Sequence, residues 1–137
     1  MSIGSRLGAI RLPGYILVVE DDKHVQQFVN MALSKEGYDV VNADDGEAAL
    51  EAIRQRTPGL ILLDIWMPTM DGYTFLTEFC SRTDQDIPVV VMTADSLTFE
   101  NKEAEATFDG ILIKPFGLDD LLNCVQKYVG PPDGAAV

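Results

Sequence analysis

Five short apolar runs, rich in β-branched residues, recur along the chain: "YILVV" (15–19), "YDVVNA" (38–43), "LILL" (60–63), "IPVVVM" (87–92) and "GILI" (110–113). Each is bounded by turn residues, the pattern of strands buried on both faces. Helical spacing fills the gaps. Val25, Phe28, Val29, Ala32 and Leu33 make one stripe, with Gly37 placed to end that helix. Ala49, Ala52 and Ile53 make a second, ahead of Pro58 and Gly59. Gly72, Phe75, Leu76 and Phe79 make a third, and Leu118, Leu121, Leu122, Val125 and Val129 make the last and clearest. The segment 96–107 is charged, with Leu97, Ala104 and Phe99 as its few apolar anchors, and reads as a short or mobile helix. Five strands alternating with five helices predict an α/β fold, a doubly wound parallel sheet covered on both faces. The expected strand order is 2-1-3-4-5, with ligands bound beyond the carboxyl ends of the strands near the switch between strands 1 and 3.

At 137 residues, 47% of them hydrophobic, the chain is sized for one globular domain. Residues 1–13 show no sustained period and read as an N-terminal extension, 14–130 as the domain, and 131–137, within "GPPDGAAV", as a C-terminal tail or linker. With 22 acidic and 10 basic residues the net charge is −12, which repels phosphate backbones and anionic membranes. Direct nucleic-acid binding and membrane association are therefore not expected. Cys80 and Cys124 form no metal or redox motif, which suits a reducing compartment. On the expected topology they lie on opposite faces of the sheet, too far apart to bridge.

The ends of the strands carry the chemistry. Glu20, Asp21 and Asp22 follow the first run, Asp64 the third, Thr93 the fourth and Lys114 the fifth. The fold would gather them on one rim. An Asp closing an apolar run is most simply a turn residue. Several carboxylates with a hydroxyl and an ammonium at one edge are harder to explain that way. Clustered carboxylates repel one another unless a cation intervenes. Carboxylates, a carbonyl and waters suit Mg2+, with Asp21 and Asp64 as direct ligands and Glu20 acting through water. A carboxylate can also be a nucleophile that forms an acyl phosphate. In phosphoryl transfer the metal, Lys114 and the Thr93 hydroxyl would each meet one oxygen of the transferred group.

The motifs "VVEDD", "LLDIWMPTMDG", "VVVMTA" and "ILIKPF" together resemble those of the receiver domain of two-component response regulators, the CheY-like family. The resemblance runs from Tyr15 to Val129. It implies a flavodoxin-like fold and a phosphorylation-activated signalling switch. Asp64 would accept a phosphoryl group from a histidine kinase or histidine phosphotransfer protein. Glu20 and Asp21 would form the acidic metal pocket, and the backbone carbonyl of Trp66 would be the remaining protein ligand. Thr93 would be the switch hydroxyl and Lys114 the phosphoryl contact, preceding a cis proline bond. The domain would assist its own phosphorylation and dephosphorylation without being an enzyme in the ordinary sense. It would act in the cytoplasm, signal to a downstream effector through the face of the fourth helix, fifth strand and fifth helix, and allow a phosphorylation-dependent dimer. The chain departs from the family's usual pattern at Ile111, where most receivers carry Tyr or Phe three residues before the lysine.

Other residues near the rim have plainer readings. Asp22 directly precedes the first helix and reads as its N-cap. His24 reads as a solvated surface histidine rather than a phosphate relay, and Met67 and Pro68 as loop-shaping residues. Competing functions fit less well. A phosphohydrolase of the haloacid-dehalogenase type needs an acid two residues after its nucleophile, where this chain has Trp66. A flavin carrier of this topology needs a neutral loop after the first strand, where this chain has "EDDKH". A binding module without phosphorylation would not need the full set of site residues.

Overall fold

The computed structural model describes residues 14–65, 87–94 and 108–131. Its elements in chain order are β1 (Ile16–Val19), α1 (Lys23–Lys35), β2 (Val40–Ala43), α2 (Gly46–Gln55), β3 (Leu60–Asp64), β4 (Val89–Thr93), β5 (Gly110–Ile113) and α3 (Leu118–Val129). The sheet runs β2-β1-β3-β4-β5, every neighbouring pair parallel. This is the order 2-1-3-4-5 of a flavodoxin-like, doubly wound fold. α3 is the fifth of the expected helices. The third and fourth, at 72–79 and 96–107, lie outside the described residues, as do Cys80 and Phe99.

Period-2 alternation sorts the strand residues between two layers. Ile16, Val18, Leu60, Leu62, Val90 and Met92 face α1 and α3 and pack with Val29, Ala32, Leu33, Leu121 and Val125. Leu17, Val19, Ile61, Leu63, Val89 and Val91 face the other way, where Ala49 and Leu50 of α2 meet them. The three central strands are buried along their whole length. Each such Leu, Ile or Val stabilises the fold by roughly 1.5–3 kcal/mol through burial alone. The two edge strands depart from the expectation of burial on both faces. Val41 and Asn42 of β2 are exposed, as are Ile111 and Ile113 of β5. An edge strand has a neighbour on one side only, so less of its side-chain surface is covered.

The helix ends follow from local chemistry. The Asp22 side chain caps α1, accepting from the His24 amide at 2.8 Å and the Val25 amide at 3.4 Å. Asp45 caps α2 through the Ala48 amide at 2.8 Å. Gly37, at φ 100°, ends α1 in a Schellman arrangement: its N–H donates to Ser34 O and the Tyr38 N–H to Leu33 O, both at 3.0 Å. The apolar stripe expected on α1 needs one correction. Phe28 is 39% exposed and leans on the Phe116 ring, with centroids 6.1 Å apart, while Gln26 takes a buried place beside Val29 and Leu33.

Three long-range ties close the molecule. The Tyr15 hydroxyl is shared between the carbonyls of Ala52 and Arg56 at 3.1 and 3.0 Å, satisfying the open end of α2. The Tyr38 hydroxyl donates to Gly130 O at 2.7 Å, joining the loop after α1 to the end of α3. The Tyr128 hydroxyl donates to Asp109 O at 2.9 Å, at the start of β5. No helix among the described residues is long and apolar enough to cross a membrane.

Candidate functional site

Parallel strands in register end together, so the residues at their carboxyl ends converge. Val19 of β1 pairs with Leu63 of β3, Asp64 with Met92 of β4, and Thr93 with Ile113 of β5. Glu20, Asp64, Thr93 and Lys114 therefore sit within one or two residues of a common rim. Asp64 and Thr93 are the last residues of their strands rather than the first beyond them. Hence both are buried, Asp64 at 6% and Thr93 at 1% exposed.

Glu20 is the most constrained group. It is 0% exposed, and its carboxylate accepts from Lys114 Nζ at 2.7 Å and from the Asp22 amide at 3.1 Å. Burial pushes its pKa from 4.5 up to about 7, against the pull of the Lys114 ammonium and with a further push from Asp64. Lys114 Nζ also stands 3.7 Å from Asp64 Oδ2, so one ammonium lies between two carboxylates. The Lys114–Pro115 peptide is cis. The Lys114 N–H donates to Thr93 O at 2.7 Å, fixing the end of β5 against that of β4.

Asp21 is exposed, yet one oxygen from each of Glu20, Asp21 and Asp64 lies within 4.8 Å of the others. Oxygen ligands on an octahedral magnesium ion stand about 3 Å apart when adjacent and about 4.2 Å apart when opposite, so this trio draws together to share an ion. Three carboxylates against a single ammonium leave net negative charge for a hard cation to offset. The donor set thus fits a magnesium ion. Trp66, Met67 and Pro68 lie outside the described residues.

His24 is exposed at the start of α1, with Nδ1 3.7 Å from Asp22 Oδ1. Asp22 is held below the usual carboxylate range by the His24 and Val25 amides that it caps. Both positions match the plainer readings of these residues. Gln26 went unread in the sequence. Its Nε2 donates to Glu20 O and, at 2.8 Å, to Asp44 Oδ1, which Lys23 Nζ also approaches at 2.8 Å. The signal was a polar residue three and seven positions before the core residues Val29 and Leu33, on the same helix face.

This rim, on this sheet, defines a class of protein. The chain belongs to the response regulator receiver domain family, whose model matches residues 16–126. It is a receiver domain of two-component signalling.

Among curated relatives it is similar to the response regulator MprA of Mycolicibacterium vanbaalenii, 38% identical over 128 residues, covering 90% of this chain and 55% of the relative. It is also similar to the response regulator receiver protein CpdR of Brucella abortus, 36% identical over 115 residues, covering 83% of this chain and 95% of the relative. The chain thus spans about half the length of MprA and nearly all of CpdR. Among solved structures it resembles a CheY-like receiver domain protein of Methanospirillum hungatei, with a TM-score of 0.77 and 27% identity over 85% of this chain and 94% of that one. It equally resembles the receiver domain of the sensor histidine kinase PA1611 of Pseudomonas aeruginosa, with a TM-score of 0.77 and 26% identity over 87% and 99% of the two chains. That structure carries a magnesium ion coordinated in the active-site cleft.

Proposed function

We propose that this chain is a phosphorylation-activated switch that accepts a phosphoryl group on Asp64 from a histidine kinase or histidine phosphotransfer protein in a magnesium-dependent reaction. The observation that carries this reading is the setting of Asp64. It is a strand-end carboxylate, nearly buried, 3.7 Å from an ammonium and grouped with Glu20 and Asp21. Asp64 Oδ attacks phosphorus, the bond from phosphorus to the donor imidazole nitrogen breaks with its electron pair going to that nitrogen, and the donor histidine, protonated on its other ring nitrogen, leaves as a neutral ring. Lys114 moves from its place between Glu20 and Asp64 to face one phosphoryl oxygen. The Thr93 hydroxyl donates to another. Glu20, Asp21, Asp64 and the Trp66 carbonyl would hold the magnesium ion. When bound, it supplies positive charge where the phosphoryl oxygens gather.

The domain is taken as 14–130, with an extension at 1–13 and a tail or linker at 131–137. It is a phosphoacceptor that assists its own phosphorylation and dephosphorylation, not an enzyme that turns over a separate substrate. Its place is the cytoplasm. Its output passes to a downstream effector through the face of the fourth helix, β5 and α3, by a change that includes phosphorylation-dependent dimerisation where the full protein uses it. The test is incubation with acetyl phosphate and magnesium followed by intact mass measurement. One phosphoryl group is expected on the native chain and none on Asp64→Asn. Equal labelling of that variant would remove Asp64 as the acceptor, and multiple turnover of a phosphate ester would favour a phosphohydrolase.

A further inference from the structure

We propose that Gln26 is a positioning residue for the acidic pocket, holding the Glu20–Asp21 peptide so that the Asp21 carboxylate stands ready for a cation. The inference rests on reading Glu20, Asp21 and Asp64 as the magnesium pocket.

Gln26 is 7% exposed, on the core-facing side of α1, where an aliphatic residue would ordinarily sit. Burying an amide is unfavourable unless its polar atoms are bonded. Both partners here are acceptors, a backbone carbonyl and a carboxylate, so the NH2 end must face them and both of its hydrogens are used. One bond reaches Glu20 O, the carbonyl of the peptide that leads directly into Asp21. The other reaches Asp44, in the loop between β2 and α2, which Lys23 holds in turn. The Glu20 N–H donates to Ala43 O at 3.1 Å, so the backbone on both sides of Glu20 is fixed, on one side by the sheet and on the other by Gln26.

Asp21 depends on this more than its neighbours do. Glu20 is tied through its own carboxylate to Lys114 and the Asp22 amide, and Asp64 closes a central strand. Among the described residues the Asp21 carboxylate has no hydrogen-bond partner, so its placement is inherited from its backbone. The Glu20 carbonyl is the nearest handle on that backbone, and Gln26 holds it. A ligand kept in place before the ion arrives loses less freedom on binding.

The test is calorimetric titration of the full chain with magnesium, with thermal unfolding in chelator measured alongside. Gln26→Met keeps the length and volume of the side chain and removes both donors. It is expected to weaken magnesium binding about fivefold, the scale of one lost hydrogen bond. A purely structural role would lower the unfolding midpoint and leave magnesium affinity within twofold of the native value, and that result overturns the proposal. Asp21→Ala separates this failure from that of the underlying reading. If the native chain binds no magnesium, or Asp21→Ala binds it as well as the native chain does, the pocket assignment fails and the proposal with it. Should Gln26→Met not fold, the native protein still decides. The side-chain amide resonances of Gln26 should shift with the same magnesium midpoint that calorimetry gives, and resonances that stay fixed through the titration overturn the proposal.

Discussion

Neutralising Glu20 is expected to stabilise the metal-free protein at alkaline pH and to change little in mild acid. Burial raises the Glu20 pKa from 4.5 to about 7, so the folded chain keeps a proton that the unfolded chain has already lost between those values. A state that binds more protons is weakened as they are withdrawn. The Glu20 contribution is therefore most favourable below about pH 4.5 and declines as pH rises to about 7. At about 1.4 kcal/mol per pH unit, the decline amounts to about 3 kcal/mol over that window. Glu20→Gln keeps the shape and removes the titration. Its amide N–H is set against the Lys114 ammonium or the Asp22 N–H, an offset of about 1 kcal/mol. The variant should thus be about 2 kcal/mol more stable than the native chain at pH 8 and no more stable at pH 5. Asp22, Asp44 and Glu51 are held below their ordinary values of 3.8, 3.8 and 4.5, so their contributions are lost only as pH falls beneath this window. Urea unfolding in chelator at pH 5, 6, 7 and 8 measures the effect. Native stability that stays flat or rises across the series, or a Glu20→Gln variant no more stable at pH 8, would refute the reasoning. Saturating magnesium at pH 8 should restore the native chain, by about 2.7 kcal/mol when present at a hundred times its dissociation constant.

The remaining expectations concern single contacts. Tyr15→Phe removes the hydroxyl shared by Ala52 O and Arg56 O and should cost about 1 kcal/mol, lowering the unfolding midpoint by about 3–5 °C in a thermal scan. Gly37→Ala places a Cβ at φ 100° and should cost about 1–2 kcal/mol by urea unfolding, with magnesium affinity unchanged. Trp66, the only tryptophan, stands two residues after Asp64 in sequence, so its emission should change on magnesium addition, and Asp21→Ala should abolish that change.

The fold was legible because each level of the sequence agreed with the next. Central runs such as "LILL" and "VVVM" are apolar on both faces, and helical stripes separate them, so a parallel sheet in the observed order was the consistent solution. The edges were less legible. "YDVVNA" and "GILI" read like central strands, but exposure depends on which strands lie next to them, and composition does not encode that. On α1 the apolar count favoured Phe28 over Gln26 for the core. The structure reverses them, because the Glu20 carbonyl and the Asp44 carboxylate arrive from elsewhere in the chain to satisfy the buried amide. Glu20, Asp21, Asp64, Thr93 and Lys114 were read from their places at strand ends, and the parallel register brings those ends to one rim. The closeness of Lys114 to Glu20, rather than to Asp64, was beyond reach, since it depends on side-chain conformation at ångström scale.

The bond from Tyr38 to Gly130 has a mechanical consequence. A helix pulled from its end normally unzips one residue at a time, each step breaking a single bond. Here, tension on the residues beyond Pro131 meets two fastenings at Gly130, the N–H that donates to Gln126 O and the carbonyl held by the Tyr38 hydroxyl. The load is shared with the loop that closes α1, itself anchored by the Gly37 and Tyr38 amides on the last turn of that helix. Force arriving at Gly130 is therefore spread over two helices on one layer of the sheet, and the last turn of α3 is shielded from peeling.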